Sequence, residues 1–152
     1  MHLGHYLRLL HVAEDNLAAA YCEVGEGHAD EVDVFHLTRR LAEECERHTE
    51  QLEPFARRYG EEAPEPPERL HAELFHGSRE GPLGLLRDLH DLYLMASECD
   101  LVWTLLGQAA QGARDQELLA VVERCDAETA MQVRWLMTRM MQAAPQALVV
   151  AG

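Results

Sequence analysis

The sequence contains few basic residues and no long apolar run. Lysine and arginine together number 13 against 27 aspartates and glutamates, so the formal net charge is −14. Because binding to nucleic acid or to an anionic membrane surface needs clustered basic side chains, we expect neither partner. No stretch has the roughly 18 apolar residues of a transmembrane helix, and the first residues lack the apolar segment and cleavage site of a signal peptide.

Cysteine is also scarce, and several catalytic motifs are missing. The four cysteines lie far apart in the chain, which is not the pattern of a disulfide scaffold. We therefore expect free thiols and a cytoplasmic location. The sequence has no glycine-rich phosphate loop, no Gly-x-Ser-x-Gly and no His-Glu-x-x-His motif. It assigns no residue a catalytic role, and whether the protein is an enzyme stays open.

Helical periodicity dominates the sequence that is present. The predicted helices cover residues 3–24, 30–59, 83–111 and 115–144. Between the second and third helices, residues 60–84 are rich in proline and form a connection, with one short helix near residues 67–76. The connection is long enough to cross a helical bundle, whereas ordinary up-down bundles need only about 2–8 residues there. We predict one all-α domain over residues 1–152, a ferritin-like four-helix bundle in which this crossover connection joins two helical hairpins.

Polar residues interrupt the apolar stripes at the middle of the predicted helices. Glu14 lies at the centre of the first stripe and His48 close to the centre of the second. Counting residues from each hairpin turn places Glu14 level with about Ala42, within a turn or two of Cys45 and His48, and Cys99 level with Cys125. Imidazole nitrogen, carboxylate oxygen and thiolate sulfur are the usual ligands of zinc and other late first-row metals. The candidate metal ligands are Glu14, Glu44, Cys45, His48, Cys99, Cys125 and Glu128.

This arrangement resembles the ferritin-like di-iron carboxylate proteins. Those proteins carry a glutamate in helices 1 and 3 and a Glu-x-x-His motif in helices 2 and 4. Glu14 matches the first glutamate and His48 matches the first histidine, but Cys45 stands three residues before His48. Cys99 occupies the core position of the third helix, and Glu128 is followed by no histidine at the family's spacing. The resemblance implies a transition metal such as iron, and the mixed ligand set fits zinc as well.

Two other interpretations fit the same residues. Glu14 and His48 can form a buried ion pair without a metal, inside a non-catalytic bundle that works by binding a partner or a second copy of itself. The bundle can also bind a small ligand in its core. A buried carboxylate needs a partner in each case, because leaving it unpaired costs several kcal/mol.

The third predicted helix has a second apolar stripe on the side away from the core. Leu94, Leu101 and Leu105 form this stripe, which would be exposed in a four-helix bundle that buries one stripe per helix. A two-fold homodimer is the usual way to cover such a surface. Alternatively, the short helix of the connection covers it with Leu70, Leu74 and Phe75.

Overall fold

The computed structural model describes residues 2–60 and 75–151, most of which are helical. The helices are α1 (Leu3–Gly27), α2 (Val32–Arg58), α3 (Gly81–Gly112) and α4 (Gln116–Pro145), followed by a π-helical turn (Gln146–Val150). The predicted all-α four-helix bundle is therefore confirmed. The predicted short helix near residues 67–76, with Leu70 and Leu74, lies outside the described residues except at its end, where Phe75 and His76 are not helical.

The helix boundaries lie close to those predicted, and local chemistry explains the ends. Asp115 caps α4 as expected, because its side chain accepts a backbone N–H three residues later at 3.0 Å. The sequence predicts Asp30 as the N-cap of the second helix, and this prediction is wrong, because Glu31 occupies that position. The N–H of Glu31 closes a turn onto the carbonyl of His28 at 2.9 Å, and α2 begins only at Val32.

The sequence also predicts that Pro145 ends the fourth helix and leaves a short apolar tail, but the chain continues past Pro145 as a wider helix. The N–H of Ala151 bonds to the carbonyl oxygen of Gln146 at 2.8 Å, five residues back, as in a π-helix. A proline removes only its own N–H and crowds only the turn before it. Pro145 therefore ends α4 without ending the helical course of the chain.

Contacts at the helix ends establish the directions of the four helices. Leu3, at the start of α1, shares an apolar groove with Leu106 near the end of α3. Arg139, near the end of α4, pairs with Glu31 at the start of α2, with 3.1 Å between Nη2 and Oε2. Since α1 packs antiparallel to α2, and α3 antiparallel to α4, helices α1 and α4 run in one direction while α2 and α3 run in the other.

The two described ends of the connection lie at opposite ends of the bundle. Arg58, the last residue of α2, binds Asp115 at the start of α4, with 2.8 Å between Nη1 and Oδ2. Ser78, shortly before α3, lies against Gly27 at the end of α1. The chain must therefore travel the length of the bundle between α2 and α3, as the predicted crossover connection requires.

The apolar stripes of the helices meet in one buried core. In α3 the predicted core face is buried throughout: Leu85, Leu89, Leu92, Ala96, Trp103 and Leu106. Two glycines allow α1 and α2 to approach closely, because a side chain on Gly4 would overlap the Tyr59 carbonyl and one on Gly25 would overlap the Thr38 hydroxyl. Among the described residues, no helix is both long and apolar enough to cross a bilayer.

A buried charge cluster fixes the start of α3 against the end of α1. The Asp88 carboxylate is fully buried and lies 2.7 Å from Nε2 of His28. Its other oxygen accepts a hydrogen bond from the Arg79 guanidinium at 2.6 Å, and Arg79 also binds Asp91 at 3.0 Å. A buried carboxylate with two such partners is stabilised, whereas removing it would leave His28 without this partner and Arg79 with Asp91 alone.

We expect Asp88→Ala to lower the free energy of unfolding by about 3 kcal/mol, because Arg79 and His28 lose their buried partner. The matched control is Asp30→Ala, at an exposed position in the neighbouring turn, which should change it by less than about 0.5 kcal/mol. Urea unfolding measures both values. Equal losses in the two variants would contradict the role assigned to the cluster.

Candidate metal centre

The polar layer at the middle of the bundle is built around Glu14 of α1 and His48 of α2. Glu14 is fully buried and His48 is 1% exposed. Nδ1 of the imidazole lies 3.2 Å from Oε1 of the carboxylate, which confirms that the two residues meet in the core. Because a carboxylate can only accept, Nδ1 carries the hydrogen in this contact.

Trp103 of α3 is the second partner of the buried carboxylate. Its indole N–H donates to the same oxygen, Oε1 of Glu14, at 2.9 Å. Its ring also meets the His48 imidazole edge to face, with 5.6 Å between the ring centres. The other Glu14 oxygen, Oε2, is buried and has no hydrogen-bond partner in the part of the chain that the structure describes.

The free side of the imidazole faces two more carboxylates. Nε2 of His48 lies 3.3 Å from Oε2 of Glu128 on α4. Glu44, one turn before His48 on α2, brings a third ligand atom, and the three atoms lie within 4.8 Å of one another. Glu44 and Glu128 are both partly exposed, while His48 is buried. The three residues therefore form a small cluster of nitrogen and oxygen donors between α2 and α4.

Gln132 of α4 holds Glu44 from the core side. Its amide nitrogen donates to Oε1 of Glu44 at 3.0 Å, and its amide oxygen accepts from the Tyr21 hydroxyl at 2.9 Å. Gln132 is 1% exposed, although the sequence places it at the edge of the core. This contact is one that sequence periodicity missed, together with the roles of Tyr21 and Trp103.

The three buried cysteines lie around this layer but are not members of the donor group. Burial raises the pKa of Cys45 well above its ordinary value, and the Glu14 carboxylate raises it further. Burial likewise raises the pKa of Cys99 well above its ordinary value and that of Cys125 to about 12. The thiols therefore keep their protons at neutral pH, while metals bind the thiolate form. All four cysteines are free, as expected.

The carboxylates set the charge of His48. Burial lowers the pKa of the imidazole, but the hydrogen bond and charge of Glu14, followed by those of Glu128, outweigh it. The net result is a pKa above the ordinary value of 6.5. The carboxylates that surround the imidazole therefore favour its charged form.

Comparison with known proteins adds no assignment to this geometry. No family model, curated protein or solved structure matches the chain. Membership of the ferritin-like superfamily therefore stays a prediction. The structure shows a four-helix bundle in which one histidine and two glutamates form a group that could hold a metal ion.

We expect the metal-free protein to lose stability as the pH rises above about 6.5. The folded pKa of His48 is raised above its unfolded value, so its contribution is complete below the unfolded pKa and disappears as the pH passes the folded pKa. Glu14→Gln removes the largest of the raising interactions and should flatten this dependence. Thermal unfolding between about pH 6 and 8, in the presence of a chelator, measures this dependence of stability on pH.

The control for this experiment is Glu23→Gln, which neutralises an exposed glutamate on the same helix. It should keep the slope of the parent protein. A parent protein with no loss of stability in that interval would contradict the charged Glu14–His48 pair. A slope equally flattened in both variants would attribute the effect to net charge instead.

Proposed function

We propose that this chain is a metal-binding protein whose bundle holds one transition-metal ion between α2 and α4. Glu44, His48 and Glu128 supply the ligands. The observation that carries the proposal is the convergence of these three donor atoms within 4.8 Å, at the end of a buried and oriented imidazole.

The spacing of the donors supports this role. Zinc binds nitrogen and oxygen ligands at about 2.1 Å, so neighbouring ligands of a tetrahedral ion stand about 3.4 Å apart. His48 Nε2 and Glu128 Oε2 are 3.3 Å apart. When His48 is in its charged form, this short contact joins an imidazolium to a carboxylate. An ion placed between the two atoms would replace the proton that Nε2 carries.

The opposite side of the imidazole also supports metal binding. A histidine that binds a metal usually donates its second N–H to a carboxylate, which fixes the tautomer and the orientation of the ring. Glu14 accepts from Nδ1 of His48 and is itself held by the Trp103 indole. Glu14, predicted as a ligand from the sequence, therefore takes the place of the carboxylate that orients the ligand. Its buried Oε2 keeps lone pairs free within the layer.

The chemistry of the donors limits the metals that we propose. One imidazole and two carboxylates suit zinc and ferrous iron, both of which accept nitrogen and oxygen ligands. The cysteines proposed from the sequence as additional ligands would favour softer ions if they lost their protons. Glu128 keeps 41% of its side chain exposed, so an ion can enter from solvent between α2 and α4.

We expect the purified protein, after removal of metals and addition of zinc, to bind about one equivalent. His48→Ala should weaken binding by more than about 100-fold, since the loss of a direct ligand exceeds the 10–100-fold typical of the groups behind a ligand. Elemental analysis and competition with a chromogenic chelator give the stoichiometry and the affinity. His36→Ala, at an exposed position of the same helix, is the matched control.

The affinity for zinc should also depend on pH in a defined way. Below the raised pKa of His48, binding must release one proton from Nε2, so the apparent Kd should increase about tenfold for each unit of falling pH. A wild-type protein that binds no zinc or ferrous iron would overturn the proposal. So would unchanged binding in His48→Ala.

A second proposal concerns the apolar surface of α3, and one observation favours it. The three leucines predicted to form the second stripe remain exposed in the described residues: Leu94 by 37%, Leu101 by 59% and Leu105 by 46%. Leu105 also lines the apolar groove of about 440 Å³ beside the start of α1. We propose that a second copy of the chain covers this surface in a two-fold homodimer.

We expect the protein to sediment as a dimer at micromolar concentration, and more completely at high salt, because salt screens the repulsion between two chains of net charge −14. Leu101→Glu should produce monomers with unchanged helicity. The matched control is Val32→Glu, which places the same charge on an exposed apolar residue of α2. Monomers of the parent protein at both low and high salt would reject the homodimer.

A further inference from the structure

A buried hydrogen-bond chain reaches the proposed metal site from the far side of the bundle. It begins at the hydroxyl of Tyr21 on α1, passes through the amide of Gln132 on α4, and ends at the carboxylate of Glu44 on α2. The donor–acceptor distances are 2.9 and 3.0 Å. Tyr21 is fully buried and Gln132 is 1% exposed, so water does not replace the bond between them.

The chemistry of the three groups allows only one direction for this chain. The Glu44 carboxylate can only accept, so the NH₂ group of Gln132 must face it. The amide oxygen of Gln132 then faces Tyr21, whose hydroxyl must be the donor. Burial raises the pKa of Tyr21 well above its ordinary value, which keeps that hydroxyl protonated. The orientation of the Gln132 amide is thus determined at both ends.

The two carboxylates of the site are held in different ways. Glu44 is held by the amide of Gln132, within the described residues, before any ion arrives. Glu128 contacts only the imidazole of His48 among the hydrogen bonds of that region, and its side chain is 41% exposed. Glu44 is therefore a preset ligand, whereas Glu128 is free to close on the ion from the solvent side.

The hydrogen-bond chain from Tyr21 to Glu44 contributes more to the position of the Glu44 carboxylate than to the stability of the fold. The hydrogen bond between Tyr21 and Gln132 joins two neutral groups, and such a bond adds little net stability; replacing both partners by apolar groups of the same shape can be nearly neutral. An apolar pair at Tyr21 and Gln132 would serve the core as well. Such an apolar pair would not hold the partly exposed Glu44 side chain at the edge of the core. The side chain would then extend into solvent.

We infer that Gln132 is a positioning residue that presets Glu44 for metal binding, and that Tyr21 positions Gln132 in turn. This inference rests on the proposed metal site. It predicts that a tyrosine on α1, which contacts none of the three ligands, affects the affinity for the metal. The effect must pass through Gln132, so the two residues should not act independently.

The experiment measures zinc affinity in Gln132→Met, Tyr21→Phe and the double variant, by competition with a chromogenic chelator at one pH. Gln132→Met keeps the size of the side chain and should weaken zinc binding about 10–100-fold. Tyr21→Phe should cause a smaller loss in the same direction. In the double variant the loss should equal that of Gln132→Met alone, because Tyr21 has nothing left to position.

Two further measurements separate positioning from folding. The thermal midpoint of the metal-free double variant should stay close to that of the parent, and the visible spectrum of bound cobalt(II) should change in Tyr21→Phe. Thr38→Val removes a buried hydroxyl of α2 that bonds only within its own helix, so it is the matched control and should keep the parent affinity.

Each outcome of this experiment has a distinct meaning. Unchanged zinc affinity in Gln132→Met, with wild-type protein that binds zinc, overturns the inference but leaves the proposed function standing. Losses that add up in the double variant, or that appear equally in Thr38→Val, also overturn it, because they indicate a general loosening of the core. A wild-type protein that binds no metal refutes the proposed function itself.

Discussion

The buried carboxylate of Glu14 is the group around which the middle of the bundle is arranged. A charge at a fully buried position costs several kcal/mol unless partners compensate it. One oxygen of Glu14 receives hydrogen bonds from His48 on α2 and Trp103 on α3. Meeting both donors at once fixes the rotation and the height of three helices relative to each other. The direction of the imidazole, and hence the location of the donor group, follows from that requirement.

Much of this arrangement could be predicted from the sequence, because helical geometry is regular. Apolar spacing located the four helices, and the predicted stripes placed Glu14 and His48 on core faces, where the structure shows them in contact. Counting from the turns placed Glu14 level with about Ala42, within a turn or two of His48. The length of the connection predicted that the helices on either side of it, α2 and α3, run in the same direction. The second apolar stripe of α3 was also predicted, and its leucines are exposed among the described residues.

The contacts between helices could not be predicted in the same way. A step of one residue turns a side chain by about 100°, so a small rotation of a helix decides whether a residue at the edge of the core is buried. Gln132 was placed at that edge and is in fact 1% exposed. Trp103 was recognised only as apolar volume, although a buried indole N–H usually requires an acceptor. The need of the Trp103 indole N–H for an acceptor was the signal in the sequence that could have revealed its contact with Glu14. The cysteines were predicted as metal ligands from their position alone. Position does not reveal that burial raises their pKa and keeps them protonated.

The contact between Trp103 and His48 gives the protein an intrinsic optical reporter. The indole ring lies against the imidazole and shares an acceptor with it, so the charge on the imidazole alters the electric field at the indole. The other tryptophan, Trp135, is only partly buried and packs on the outer part of the core. With Trp135 replaced by phenylalanine, the remaining emission would come from a single indole in the polar layer. Its wavelength would then follow protonation and ion entry in real time, without any added dye.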